Sequence, residues 1–284
     1  MPAWDEAAVL AQASRLRLLT GQRGAPRAVG GRLGRAAGAS LELHDTRAYL
    51  PGDDLRRIDW GVYARTDQLV LRRRQALVSP RLVVVLDLSL SMAASPAKLA
   101  LATGIAALLV QLGRKEEARV DLWLAHAAMQ HAPPGPAAWL AALRDCAPHG
   151  RAGLLADPAP ALPAFSERLV VTDGLYPEGA AALTRRLGRE AGSLGVIEVL
   201  ARVEREPRPL GPVRLEDVEG GARDLVLDER ACAAYRHRYE RHQAGLREAL
   251  LGRGPGLVAV TVEEGLEGAA RALVAAGVVA GGPA

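Results

Sequence analysis

From Pro80 onward, unbroken apolar runs alternate with segments of helical spacing, and this alternation restricts the fold more than any other feature of the chain. The runs are RLVVVLDLS (81–89), ARVDLWLAH (118–126), ERLVVTDG (167–174), LGVIEVLAR (194–202) and GLVAVTV (256–262). The segments between them predict helices over 96–114, where Pro96 sits in the first turn, and over 135–146, 177–192 and 228–252; a last helix follows over 265–276. A strand with one polar face lies half in water, but these strands have none, so helices must cover both sides of the sheet they form. The predicted fold is therefore α/β, a doubly wound and mostly parallel sheet with an N-terminal extension. Such sheets bind ligands beyond the carboxyl ends of their strands, where the strand order reverses.

Two of the runs end in chemistry on that edge. The first closes in Asp87, Ser89 and Ser91 at every second residue, and the third closes in Asp173 and Gly174. A carboxylate and two hydroxyls on one loop, with a second carboxylate on a neighbouring strand end, make a set of hard oxygen donors. Mg²⁺ is held in this manner, by one or two carboxylates with a position left open. A partner's Asp or Glu could fill that position. The same residues also have a structural reading, with serine capping the following helix and aspartate satisfying loop amides.

Residues 4–19 have helical spacing, with Ala8, Leu10, Leu16 and Leu19 as expected core contacts. The stretch 20–40 is rich in Gly and Arg and reads as a connector or a contact surface for an acidic partner. No aromatic residue interleaves the arginines of 13–36, so there is no platform for stacking bases, and nucleic-acid binding is the weaker alternative. The formal net charge is +4, almost all of it from arginine, since Lys98 and Lys115 are the two lysines. Cys146 and Cys232 are far apart and are expected to be free thiols in a reducing compartment. The first residues do not read as a signal peptide, and no stretch reads as a membrane span of about 20 apolar residues. A cytoplasmic protein is the expectation.

The segment 42–78 contains Arg47, Tyr49, Pro51, Gly52, Asp53, Asp54, Arg56, Ile58, Asp59, Trp60, Ala64 and Arg65 in the arrangement RxYxPGDDxRxIDWxxxAR. This run, followed by DLSLS and TDG, resembles the von Willebrand factor A-like family known as domain of unknown function fifty-eight, over about residues 28–276. The resemblance implies a Rossmann-like sheet carrying a metal-ion-dependent adhesion site. Asp87, Ser89, Ser91 and Asp173 would be its ligands, and Mg²⁺ or another divalent cation its ion. It also implies a non-enzymatic protein-interaction role beside a MoxR-type AAA ATPase, in the assembly or maturation of a client complex. The chain departs from the pattern in one place. The loop PHGRAGLLAD (148–157) has neither Thr nor Ser where the family supplies a threonine, so the ion is expected to bind weakly or not at all. His149, Arg151 and Asp157 are the polar residues there.

The domain division expected is 1–79 for the helix, the arm and the RxYxPGDD segment, and 80–284 for the sheet. In the first part, Arg47, Asp53, Asp54 and Arg56 form either a docking surface, through bidentate arginine–carboxylate contacts, or an ion-paired knot anchored by a buried Trp60. Arg72, Arg73 and Arg74 fit a solvated strand or hairpin face. Enzymatic readings lack their parts. A haloacid-dehalogenase-type phosphatase needs an Asp at position 89, which is Ser. No G-x-S-x-G elbow, Walker motif or G-x-G-x-x-G after a strand is present, and the six histidines form no zinc-like cluster, with His237 and His242 expected to face solvent. A metal-dependent hydrolase of phosphorylated substrates on the Asp87–Asp173 edge is the remaining enzymatic alternative.

Overall fold

The computed structural model describes residues 4–19, 41–49, 55, 58–76, 80–150, 153–155, 160–176, 178–218 and 220–282. The chain divides into two compact units, one of residues 1–25 with 80–284 and the other of residues 26–79. The N-terminal helix therefore groups with the sheet rather than with the segment that follows it.

Helix α1 (Glu6–Arg15) starts at Asp5, whose carboxylate accepts from the Ala8 amide at 3.1 Å. It ends earlier than its spacing predicts, because residues 16–18 turn extended as strand β1 (Leu16–Leu18). The Lys115 ammonium satisfies the helix end, donating to the carbonyls of Ala13, Ser14 and Leu16 at 3.2, 3.1 and 3.0 Å. Val9 and Ala13 supply the buried face, while Leu10 is 49% exposed.

In the smaller unit, strands β2 (Leu41–Ala48) and β3 (Val70–Ala76) form an antiparallel pair. Arg72, Arg73 and Arg74 lie in β3, and the solvated face expected of them concerns side chains outside the described residues. Helix α2 (Trp60–Thr66) is capped by Asp59, which accepts from the Gly61 and Val62 amides at 3.0 and 3.2 Å. Trp60 is not a buried anchor: it is 58% exposed. As the first residue of the helix it points its ring along the outer face, where it meets Tyr63 edge-on at 6.0 Å, one turn further on.

The main sheet begins with β4 (Arg81–Asp87), followed by α3 (Pro96–Lys115), β5 (Arg119–Ala125), the short β6 (Met129–His131) and α4 (Pro136–Asp145). Then come β7 (Glu167–Thr172), α5 (Ala180–Leu187), β8 (Ser193–Leu200), α6 (Arg202–Arg205), the hairpin β9 (Gly211–Glu216) and β10 (Ala222–Leu227), and α7 (Glu229–Leu250). β11 (Gly256–Thr261), α8 (Gly265–Ala275) and β12 (Val279–Gly281) complete the chain, with β12 antiparallel to β1. The strand order is β11-β8-β7-β4-β5-β6, parallel throughout except for β6.

The two faces of β4 show why the apolar runs carry no polar side. Leu82, Val84 and Leu86 pack with α1, α3, α4 and α8, whereas Val83 and Val85 pack with α5 and α7. α3 is the central helix, capped by Ser95 and started by Pro96, with most of its residues buried. By length and composition it could cross a membrane, contrary to the sequence expectation, but its apolar surface is spent inside the core. Gly113 lets it lie close on the sheet, since a Cβ there would come within 2.8 Å of Leu82 and Val120. Cys146 and Cys232 are buried free thiols.

α3 leaves the carboxyl end of β4 on one face and α5 leaves that of β7 on the other. β4 and β7 are neighbours, so the strand order reverses between them. This reversal is the place where open α/β sheets present a ligand edge.

Candidate functional site

Asp87 is the last residue of β4 and is 2% exposed. Its Oδ1 accepts from the Ser89 amide at 2.9 Å, which bends the chain sharply off the strand, and its Oδ2 accepts from the Thr172 hydroxyl at 2.7 Å. Ser89 and Ser91 point their hydroxyls at each other, 3.1 Å apart, around the short 3₁₀ turn Leu90–Ala93. Ser89 makes no side-chain cap bond to that turn, and α3 is capped by Ser95. The helix-cap explanation of the DLSLS serines therefore fails.

Asp173 follows β7 and is 1% exposed. Its Oδ1 accepts from the Leu175 amide at 3.2 Å. Its Oδ2 accepts from the Lys98 ammonium at 3.1 Å. Thr172 ties the two strand ends together, because its oxygen also accepts from the Gly174 amide at 3.1 Å and from the Tyr176 hydroxyl. The four sequence-predicted ligands thus do share one edge of the sheet.

The loop expected to lack a threonine runs alongside through its backbone. The Leu90 amide donates to the Gly150 carbonyl and the His149 amide to the Leu88 carbonyl, at 3.2 and 2.9 Å. At Gly153 an added Cβ would stand 2.9 Å from Asp87 Oδ1, so main chain fills the space a longer side chain would need. His149 stacks on His126 with ring centres 4.3 Å apart; burial, then the neighbouring ring, lowers the pKa of His126. Arg151 and Asp157 lie outside the described residues. So do Asp53, Asp54, Arg56 and the 20–40 arm; Arg47 lies in β2, but its side chain is outside them too.

Lys98 was not among the predicted site residues. It occupies the first turn of α3 with 1% of its surface exposed, and its ammonium donates to Asp173 Oδ2, to the Ser91 carbonyl at 3.3 Å and to Glu204 Oε1 at 2.9 Å. A signal existed in composition, since the chain uses arginine nearly everywhere else. Glu204 is fixed by accepting from the Ala201 amide at 2.7 Å.

A second polar group lies behind the Asp173 loop. Glu198, fully buried in β8, accepts from the Tyr239 hydroxyl at 3.1 Å and from the Gln243 amide, with the Arg205 guanidinium 3.7 Å away. Burial raises its acid above the usual range. His242 does not face solvent: its Nε2 lies 2.7 Å from the Gly174 carbonyl and donates to it, tying α7 to the Asp173 loop.

The two aspartates differ electrostatically. Burial, reinforced by the nearby Asp173 charge, pushes the Asp87 carboxyl up to about 6, against only partial relief from Ser89 and Thr172. The donor chemistry fits a hard divalent cation, because Asp87, Ser89 and Ser91 offer only oxygens and, among the described residues, no cation pairs with Asp87. The charge supply is short, because Asp173 already has a positive partner. Among the described residues no three His, Cys, Asp or Glu side chains converge as a metal cluster, so a cation here would depend on the serine hydroxyls.

Residues 45–249 match the family model described as Protein of unknown function DUF58. The chain is 30% identical over 250 residues to the uncharacterized proteins Rv1480 of Mycobacterium tuberculosis and Mb1516 of Mycobacterium bovis, covering 82% of this chain and 78% of each relative. Among solved structures it is similar to the conserved hypothetical protein BatB from Bacteroides thetaiotaomicron, at 20% identity and a TM-score of 0.41 over 70% of this chain and 98% of that one. A von Willebrand factor type A structure from Catenulispora acidiphila is similar at 17% identity and a TM-score of 0.30, over 45% of this chain and 35% of that one. With most of its length matched by the family model, from the RxYxPGDD segment through both strand-end loops, the chain belongs to the DUF58 family.

Proposed function

We propose that the sheet edge at β4 and β7 is a protein-docking surface and that the chain is a non-enzymatic interaction module. The observation that carries this is the way the edge is held. Asp87 is engaged by Thr172 and Ser89, and Asp173 by Lys98 and Leu175, which fixes two loops in place rather than preparing a proton transfer. Around the fixed polar floor, Ala93, Ala94 and Leu175 form an exposed small and apolar rim that a partner can cover.

Asp87, Ser89, Ser91 and Asp173 are the residues that would hold Mg²⁺, weakly because Asp173 is shared with Lys98. When bound, the ion would supply an open coordination position for a partner's carboxylate. The partner class, brought by the family resemblance, is a MoxR-type AAA ATPase acting with a client complex in the cytoplasm.

The test is titration of the purified chain against a purified MoxR-type ATPase from the same organism, with Leu175→Asp and Ala94→Asp as folded variants. A charge placed inside a docking surface should weaken binding about tenfold or more. Wild-type affinity in both variants overturns docking at this edge. A panel of phosphatase, esterase and NTPase substrates should show no turnover. Turnover that disappears with Asp87→Asn would overturn the non-enzymatic reading.

A further inference from the structure

We infer that Lys98 is the resident cation of this edge, a tethered ammonium that bridges the two strand-end loops and takes the place of a divalent ion at Asp173. The inference rests on the docking reading for its biological meaning but not for its test.

Position is the first support. Lys98 lies in the first turn of α3, where the helix dipole is positive and a cation is disfavoured, and it is buried there as well. Neither cost is met by a carboxylate local in sequence. Both are offset by carboxylates brought from Asp173, 75 residues away, and Glu204, 106 residues away.

Coordination is the second. An ammonium has three protons, and three oxygens receive them: Asp173 Oδ2 from the β7 loop, the Ser91 carbonyl from the β4 loop, and Glu204 Oε1 from α6. One cation therefore joins the DLSLS loop to the TDG loop, the task a metal would perform. A guanidinium could not replace it, since a planar fork does not present three donors from one point. This accounts for a lysine at position 98 in a chain that carries nearly all of its positive charge on arginine.

It follows that Asp173 is occupied before any metal arrives, and that a divalent ion would have to enter beside a fixed positive charge. Partner binding at the edge should then survive chelators.

The experiment uses the chemistry of the two lysines. A chain labelled with ¹⁵N-lysine carries side-chain signals from Lys98 and Lys115 alone, and Lys115, held by three carbonyls at α1, serves as the internal reference. Asp173→Asn should shift one ammonium signal and leave the other. In wild type, millimolar Mg²⁺ should move neither; movement of the Lys98 signal alone would show that metal displaces the ammonium and would overturn the inference.

Calorimetry with Mn²⁺ supplies the second arm. Lys98→Met should bind Mn²⁺ about tenfold or more tighter than wild type, and Asp173→Asn added to it should abolish the gain. A folded Lys98→Met with wild-type affinity overturns the inference, and if that variant does not fold, the wild-type spectrum decides alone. Neither arm contains a partner, so loss of the inference leaves the docking result standing, and loss of docking leaves the cation assignment standing.

Discussion

Asp87 and Asp173 are the same residue on adjacent strand ends, equally buried, and they live in opposite circumstances. Asp173 sits 3.1 Å from the Lys98 ammonium. Among the described residues Asp87 has only neutral donors, the Ser89 amide and the Thr172 hydroxyl, and its carboxyl is pushed up to about 6 by burial and then by Asp173. Burial alone therefore does not decide how a carboxylate behaves. What decides it is whether the fold brings a charge or only a dipole to meet it.

Removing the charge is the strongest way to break the contrast. Lys98→Ala leaves Asp173 and Glu204 without their cation, and stripping one partner from a buried ion pair costs about 3–5 kcal/mol. Urea unfolding at neutral pH should show a loss of that size; a change within error would mean that water or another group already screens Asp173.

The next effect is a pH dependence that only Asp87 should dominate. Its carboxyl stands at about 6 in the fold against an ordinary 3.8, so folding favours the protonated form. That contribution is fully present below about pH 4 and is lost as pH rises through about 6, a decline of about 3 kcal/mol. Asp87→Asn should flatten most of this slope in chemical melts taken between those limits. Glu198, whose acid burial also raises, leaves a remainder of the same sign.

Thr172→Val sharpens the comparison by deleting a dipole instead of a charge. It should cost about 1–2 kcal/mol, since Asp87 Oδ2 loses its donor in a buried setting. The pH slope should steepen in the same experiment.

The smallest effect lies outside the edge. Trp60→Ala removes an exposed ring and its edge contact with Tyr63, and should change stability by less than about 1 kcal/mol. A loss several times larger in a thermal melt would show that the ring is covered in solution.

Much of the sheet was legible because a strand buried on both faces must be apolar at every position, and β4, β7 and β8 are nearly so. The edge was legible for a related reason, since polar residues closing such strands fall there by topology. Lys98 was not, because its partners lie far along the chain and helical spacing says only that it belongs to α3. Trp60 misled because residue type is a weak guide to burial at the first position of a helix, where the cap sets direction. The hairpin of β9 and β10 was missed for want of a hydrophobic pattern, most of its residues being exposed. His242 was judged by its charged neighbours on α7, although one face of that helix carries buried Gln243, Leu246 and Leu250.

The pairing of β1 with β12, in which Leu16 faces Gly281 and Leu18 faces Val279, has a consequence for the order in which the molecule can be completed. A ribosome releases residues 16–18 long before 279–281, so the earlier strand waits without its partner while everything between the two is made. Closing so long a loop adds only modest entropy beyond that of a shorter one, so the delay is one of timing rather than of stability. Beside that strand stands α1, whose Ala13 and Ser14 carbonyls are held by Lys115 at the far end of α3, as is the carbonyl of Leu16. The central helix can therefore keep the early segment docked and in register, as a template, until the late strand arrives to seal it.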